Sequence, residues 1–255
     1  MSLNISFQPE YVAEVAGFQL TNSLLTSFLV TALLAALGII VYFREKNRGD
    51  RPRGLLARLF RYLVFEMLKL TESVVGSRQR AEAVLPLITT FFVFIMTANL
   101  LALLPGFLGS FYVLVGGQEL PLLRSSNSDL NTTLALALVA VLATQWFSLK
   151  AIGFRHYLRR FFDFRGPVRL MMGFFELLSE AVKVLSFSFR LFGNIFAGEV
   201  LLLVIAFLVP YLVPVPFMVL EVFVGVIQAF IFSMLTLTFI RTASVDDLMP
   251  AKGQR

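Results

Sequence analysis

Residues Glu176 to Glu199 read ELLSEAVKVLSFSFRLFGNIFAGE, an apolar helical pattern long enough to sit in a bilayer, yet it carries Lys183 and Arg190. Insertion scales put an arginine at the centre of a membrane helix at roughly 2.5 to 3.5 kcal/mol, so a chain keeps one only where protein or water surrounds it. At about 100° per residue, Glu176, Lys183, Arg190 and Ala197 share one helical face, with Ser186, Gly193 and Asn194 within a turn of it. That face is polar or small, whereas the others are Leu, Phe and Val. Such a stripe suits either a plain helix–helix seam or the close approach of a second body with local access for water. The arginine favours the second reading, because ionisable residues at membrane depth are functional by default.

The rest of the chain agrees with a membrane setting. Hydrophobic residues are 58% of 255 and charged residues 15%, and Phe occurs 28 times. This is the composition of a polytopic, all-α integral membrane protein. The excess of 22 Lys+Arg over 16 Asp+Glu lies beside apolar spans, which points to membrane topology and not to nucleic acid. The absence of cysteine excludes a disulfide framework and a thiolate metal site. Residues 1–17 hold Glu10 and Glu14 but no Lys or Arg, so the first apolar stretch is expected to be a retained span and not a cleaved signal.

Five apolar regions follow within one membrane domain over 1–255. After an external segment 1–23, the first span is 24–43, charge-free and 20 residues long, enough for one crossing at about 1.5 Å per residue. Segment 44–82 is basic. In it Leu55, Leu56, Leu59, Leu63, Met67 and Leu70 recur at helical spacing opposite Arg58, Arg61 and Lys69, which predicts an amphipathic helix on the membrane surface or packed on a partner. The second span, 83–107, is expected to open at Pro86 and close at Pro105-Gly106, with Asn99 inside it as interhelical glue. A loop over 108–131 ends in Ser-Asn-Ser-Asp-Leu-Asn-Thr, where Asp129 or Asn131 can cap the third span, 132–149. Trp146 suits an interface anchor there. The apolar region from Pro167 to Val209 is near 43 residues, too long for one upright helix across roughly 30 Å of hydrocarbon. Pro210, Pro214 and Pro216 then turn the chain into the last apolar segment, Phe217 to Ile240, and 241–255 forms a tail.

Lys and Arg number none in 1–17, ten in 44–80, one in 108–131, six in 150–169 and three after Ile240. The positive-inside rule places the N-terminus outside and the C-terminus in the cytoplasm, which requires an odd number of crossings.

An antiparallel hairpin about Pro210 over 167–240 brings Glu199 level with Glu221, and Arg190 level with Gln228. Arginine keeps its proton, so Arg190 acts only as a fixed positive charge, beside which Gln228 offers a neutral amide. Two carboxyl groups close together in low dielectric suit a proton relay, or share a proton simply to pack. Glu199 lies nine residues after Arg190, about 180° around the helix, so the acid and the arginine face different surroundings. His156, the only histidine, falls in a basic loop and reads as solvated. No phosphate loop, metal-spaced cluster or Ser/His/Asp set is present, so neither a cofactor nor a catalytic site of its own is expected.

The stretch from Ser186 through Arg190 and Asn194 to Glu199 resembles the signature of subunit a of F-type ATP synthases. Asn99-Leu-Leu-Ala-Leu-Leu-Pro105-Gly, Ser128-Asp129-Leu-Asn131-Thr-Thr-Leu-Ala-Leu-Ala-Leu and Gln228-Ala-Phe-Ile-Phe resemble further marks of that family, and the likeness spans about 84–244. It implies a stator subunit of the bacterial inner membrane with two proton half-channels, whose last two helices form a long inclined hairpin. It implies a ring of c subunits, the peripheral-stalk b subunits, the rest of the synthase and membrane lipid as partners, and no nucleic acid. By the same resemblance Arg190 faces the ring carboxylates, with Asn194 and Gln228 as polar neighbours. Glu199 belongs to the half-channel open to the outside, and Glu176, accompanied by Lys183, to the cytoplasmic one. Glu221 stands where some members carry histidine, a departure that bears on how proton uptake depends on pH. A free-standing secondary ion transporter would also use isolated intramembrane charges, but it is normally built on paired repeats, and none is visible here. A purely structural scaffold gives no reason for Arg190.

Overall fold

The computed structural model describes residues 11–15, 18–46, 54–104, 112–115, 118–121, 124–154, 157, 161, 166–209 and 212–245. Pro105-Gly106, His156, Pro210 and the tail beyond Val245 lie outside them. In chain order the elements are β1 (Tyr11–Val15), β2 (Phe18–Thr21), α1 (Asn22–Lys46), α2 (Leu55–Val75), α3 (Arg78–Ala102), β3 (Tyr112–Val115), β4 (Gln118–Pro121), a 3-10 turn (Ser126–Ser128), α4 (Leu130–Ile152), α5 (Pro167–Leu208) and α6 (Pro214–Val245). Five helices, α1, α3, α4, α5 and α6, are long and apolar enough to cross a membrane. The expected helical class with five spans is therefore what the chain adopts. Two small antiparallel hairpins, β1–β2 and β3–β4, are added to it.

Local chemistry accounts for the helix ends. The Leu24 N–H donates to the Thr21 hydroxyl at 3.3 Å as α1 begins, which satisfies one of the amides a helix leaves free. Helix α2 stops at Gly76, whose φ of +74° lets its N–H turn back onto the Glu72 carbonyl at 2.8 Å, a conformation that glycine adopts without steric cost. Asp129 is the cap of α4, accepting from the Asn131 N–H at 2.9 Å. Of the two residues expected as the cap, it is therefore the aspartate.

Helix α3 departs from the expected 83–107. It starts at Arg78 and ends at Ala102, with Pro86 inside it and not at its opening. Solvated charges extend the first turns: Arg78 pairs with Glu82 at 2.8 Å and with Glu72 of α2 at 3.3 Å. Hydropathy does not detect such a polar extension.

Helices α3 and α6 pack along one another, α4 lies against both α5 and α6, and α2 lies along α3. Their shared core holds Phe91, Ile95, Ala137, Phe187, Leu191 and Phe232. Phe232 meets Phe187 edge-on at 4.8 Å and Phe91 at 5.4 Å, the geometry that aromatic quadrupoles favour. Small Ala137 and Ala140 let α4 come close, the usual device where lipid supplies no hydrophobic drive between helices. Met67, Leu68 and Thr71 seat α2 on this bundle, while Leu55, Leu59, Tyr62 and Phe65 remain exposed. At 42 and 32 residues, α5 and α6 are about 63 and 48 Å long. Neither fits upright within roughly 30 Å of hydrocarbon.

Candidate functional site

Helix α5 buries Phe187, Ser188, Leu191, Ile195 and Gly198 against its neighbours. The adjoining face carries Ser186, Arg190, Asn194 and Ala197, all exposed. A Cβ added at Gly193 would meet nothing within 4 Å, so this face is open to a close approach. Among the described residues Arg190 makes no ion pair. Beside it the Asn194 side-chain amide donates to the Gln228 carbonyl oxygen of α6 at 2.8 Å. Gln228, expected to come level with Arg190, bonds to Asn194 one turn further along α5. Gln228 is buried, whereas Arg190 is exposed.

On one side of Arg190 lies an acidic cluster. Glu199 of α5 and Glu221 of α6 line one cavity with Asn99, Ala102 and Leu103 of α3 and with Ile195 and Leu202. It holds about 20 Å³ for water centres, room for a water molecule. A Cβ at Gly198 would run into the Glu221 carboxylate. The glycine is therefore what lets Glu221 lie flat on α5 beside Glu199. Glu199 Oε2 is 3.8 Å from Arg124 Nε, the two side chains being 18% and 14% exposed. At that distance they form an ion pair and not a hydrogen bond. Ser125 and Ser128 stand against the same carboxylate.

The walls of this cluster are tied by polar side chains. Asn99 donates to the Gly225 carbonyl of α6 at 3.0 Å and accepts from the Asn127 amide at 2.7 Å. The expected interhelical role of Asn99 is visible in these bonds. The whole turn Ser125–Asp129 is buried, although its composition is polar throughout. Ser23 of α1 donates to Asp129 Oδ2 at 2.6 Å, so one aspartate caps α4 and holds α1. Glu199 Oε1, Glu221 Oε1, Ser125 Oγ, Ser126 Oγ and Gln228 Nε2 are buried with no protein partner among the described residues.

On the other side of Arg190, ten residues earlier, is Glu180. It accepts from Lys183 Nζ at 2.7 Å, and the ammonium sits 5.1 Å above the Phe239 ring of α6. Lys183 therefore faces the hairpin and not the open stripe with Arg190. Glu176, one turn further on, is half-buried. Three participants escaped the sequence reading: Arg124, Glu180 and Gly198. Arg124 offered a signal as the sole cation of its loop, and Glu180 as an acid at i−3 from Lys183. For Gly198 the sequence holds no such signal.

Five membrane-length helices, with ionisable side chains gathered between the last two, define a multi-pass helical membrane protein. The model of the ATP synthase A chain family matches residues 24–241. Similar proteins include the ATP synthase subunit a of Moorella thermoacetica, 31% identical over 91% of this chain and 95% of the relative. Subunit a of Campylobacter jejuni is 32% identical over 86% and 89%. That of Legionella pneumophila is 26% identical over 92% and 91%. The chain belongs to the ATP synthase A chain family, and so to the membrane sector of that complex.

Proposed function

We propose that this chain is the stator subunit that brings protons to a ring of c subunits and takes them away again, through two aqueous half-channels that never meet. The observation that carries the reading is the position of Arg190. It is an unpaired cation, among the described residues, on an exposed face of α5, about 13 Å along the axis from Glu199 and about 15 Å from Glu180. A permanent charge on a surface otherwise meant for lipid needs a partner from outside the chain. A ring carboxylate is the chemistry that answers it.

Protons enter from outside past Glu199 and Glu221, whose unpartnered oxygens line a water-sized cavity. They neutralise a ring carboxylate, travel with the ring and leave to the cytoplasm near Glu176 and the Glu180–Lys183 pair. Arg190 forbids the short path, because a ring carboxylate must be ionised to pass it and a hydronium ion is repelled from the gap. Each charge moved through 100 mV supplies about 2.3 kcal/mol to the rotor. The positive-inside bias places the N-terminus outside and the C-terminus in the cytoplasm of a bacterial inner membrane, where b subunits of the peripheral stalk hold the stator.

Replacing the cation tests the reading. In inverted vesicles carrying the whole complex, Arg190→Ala abolishes ATP synthesis driven by a proton gradient, with the amount of assembled complex unchanged. Synthesis at the wild-type rate in that variant would overturn the reading.

A further inference from the structure

We propose that Arg124 is the positioning residue of the external acid pair: it anchors Glu199 and offsets its charge, so that two carboxylates can share one cavity. The inference rests on the reading of Glu199 and Glu221 as the proton inlet. Two ionised carboxylates beside a single small cavity repel one another and resist ionisation together. A nearby cation relieves that repulsion, and the loop that delivers it is built for the purpose. Arg124 is the sole Lys or Arg between 108 and 131. It directly precedes the buried turn Ser125–Asp129, which is pinned to α1 by Ser23, to α3 by Asn99 and to α4 by the Asn131 N–H. The guanidinium therefore approaches Glu199 from a fixed base.

The contact also chooses between the carboxylate oxygens. Arg124 takes Oε2, which leaves Oε1 of Glu199 without a protein partner, as is Oε1 of Glu221. Among the described residues the groups around Glu199 are Glu221 from α6, Asn99 from α3, and Arg124, Ser125 and Ser128 from the buried turn. Asp129 is engaged by Ser23 and the Asn131 N–H. Arg190, on the same helix as Glu199 but nine residues earlier, is exposed. Among the described residues Arg124 is thus the one cation this cluster has.

The test uses the whole complex in vesicles, stripped of its catalytic head, with passive proton conduction followed against the pH of the external side. Removing a cation beside a carboxyl pair makes the pair hold its proton to higher pH. In Arg124→Gln the pH of half-maximal conduction accordingly rises by about one unit or more, and Arg124→Lys restores it. A profile in Arg124→Gln that superimposes on wild type overturns the proposal, as does Arg124→Lys behaving like Arg124→Gln. If Arg124→Gln does not assemble, the double variant with Glu199→Gln decides. Recovered assembly there supports a role exerted through Glu199, and an equal loss overturns it. Glu199→Gln alone separates the two levels. Undiminished conduction in it removes the inlet reading itself, whereas lost conduction together with an unshifted Arg124→Gln profile removes only the role of Arg124.

Discussion

Gly198 shows how one missing methyl group shapes a charge cluster. Its Cα faces the Glu221 carboxylate so closely that any side chain would occupy the same space. Gly198→Ala leaves the helix intact, since alanine favours helix more than glycine does, but it pushes Glu221 away from Glu199. Displacement of a reacting group by about 1 Å can cost on the order of a hundredfold in rate. The expected outcome is a fall of about tenfold or more in passive proton conduction, with normal recovery of the assembled complex. Conduction equal to wild type would show that the close seat of Glu221 on α5 is unnecessary. The residue scale is also where the sequence is least legible. The Glu199–Glu221 approach follows from counting outward from a proline turn, but Asn194 and not Arg190 meets Gln228, because helix rotation about the axis decides which side of α5 enters the hairpin.

At the scale of elements, the turn Ser125–Asp129 joins α1, α3 and α4 through side chains and not through apolar packing. Asp129 uses one oxygen for the α4 cap and the other for Ser23. Removal of a helix cap costs about 1 kcal/mol, and a buried hydroxyl left without its acceptor costs about 1 to 3 kcal/mol more. Asp129→Ala is therefore expected to lower the thermal stability of the detergent-purified complex, and to do so more than Ser23→Ala, which keeps the cap. Equal melting of Asp129→Ala and wild type would show that the turn is held by other contacts. Hydropathy marked each of the five spans because a membrane crossing advertises itself over about 20 residues. It missed the solvated start of α3 and the burial of the turn, since the contacts that Asn127 and Asp129 make with Asn99 and Ser23 lie far away in the chain and leave no mark in the local sequence.

Across the whole molecule, one face of the long hairpin is left open and carries Ser186, Arg190, Asn194 and Ala197, while acids lie inside to either side. On the proposed function that division gives the two proton paths separate ends, and the orientation of the chain decides which end opens to which side. The protein contains no cysteine, so single reporters are free of background. A cysteine at Tyr11 is expected to react with a membrane-impermeant maleimide from the external side, and one at Gly54 only after the membrane is opened. Labelling of Gly54→Cys in intact cells would invert the topology and exchange the two proposed half-channels.

Composition, apolar run length and the bias of lysine and arginine are local or additive properties. They were enough to determine a five-span helical membrane protein and to single out Arg190 and an orientation for testing, because lipid penalises each exposed polar group wherever the chain places it. The tertiary structure alone decided which polar groups meet: Arg124 with Glu199, Asn127 with Asn99, Asn194 with Gln228, and Glu221 against Gly198. These contacts join residues far apart in the chain, and they depend on the rotation and register of helices that periodicity leaves free.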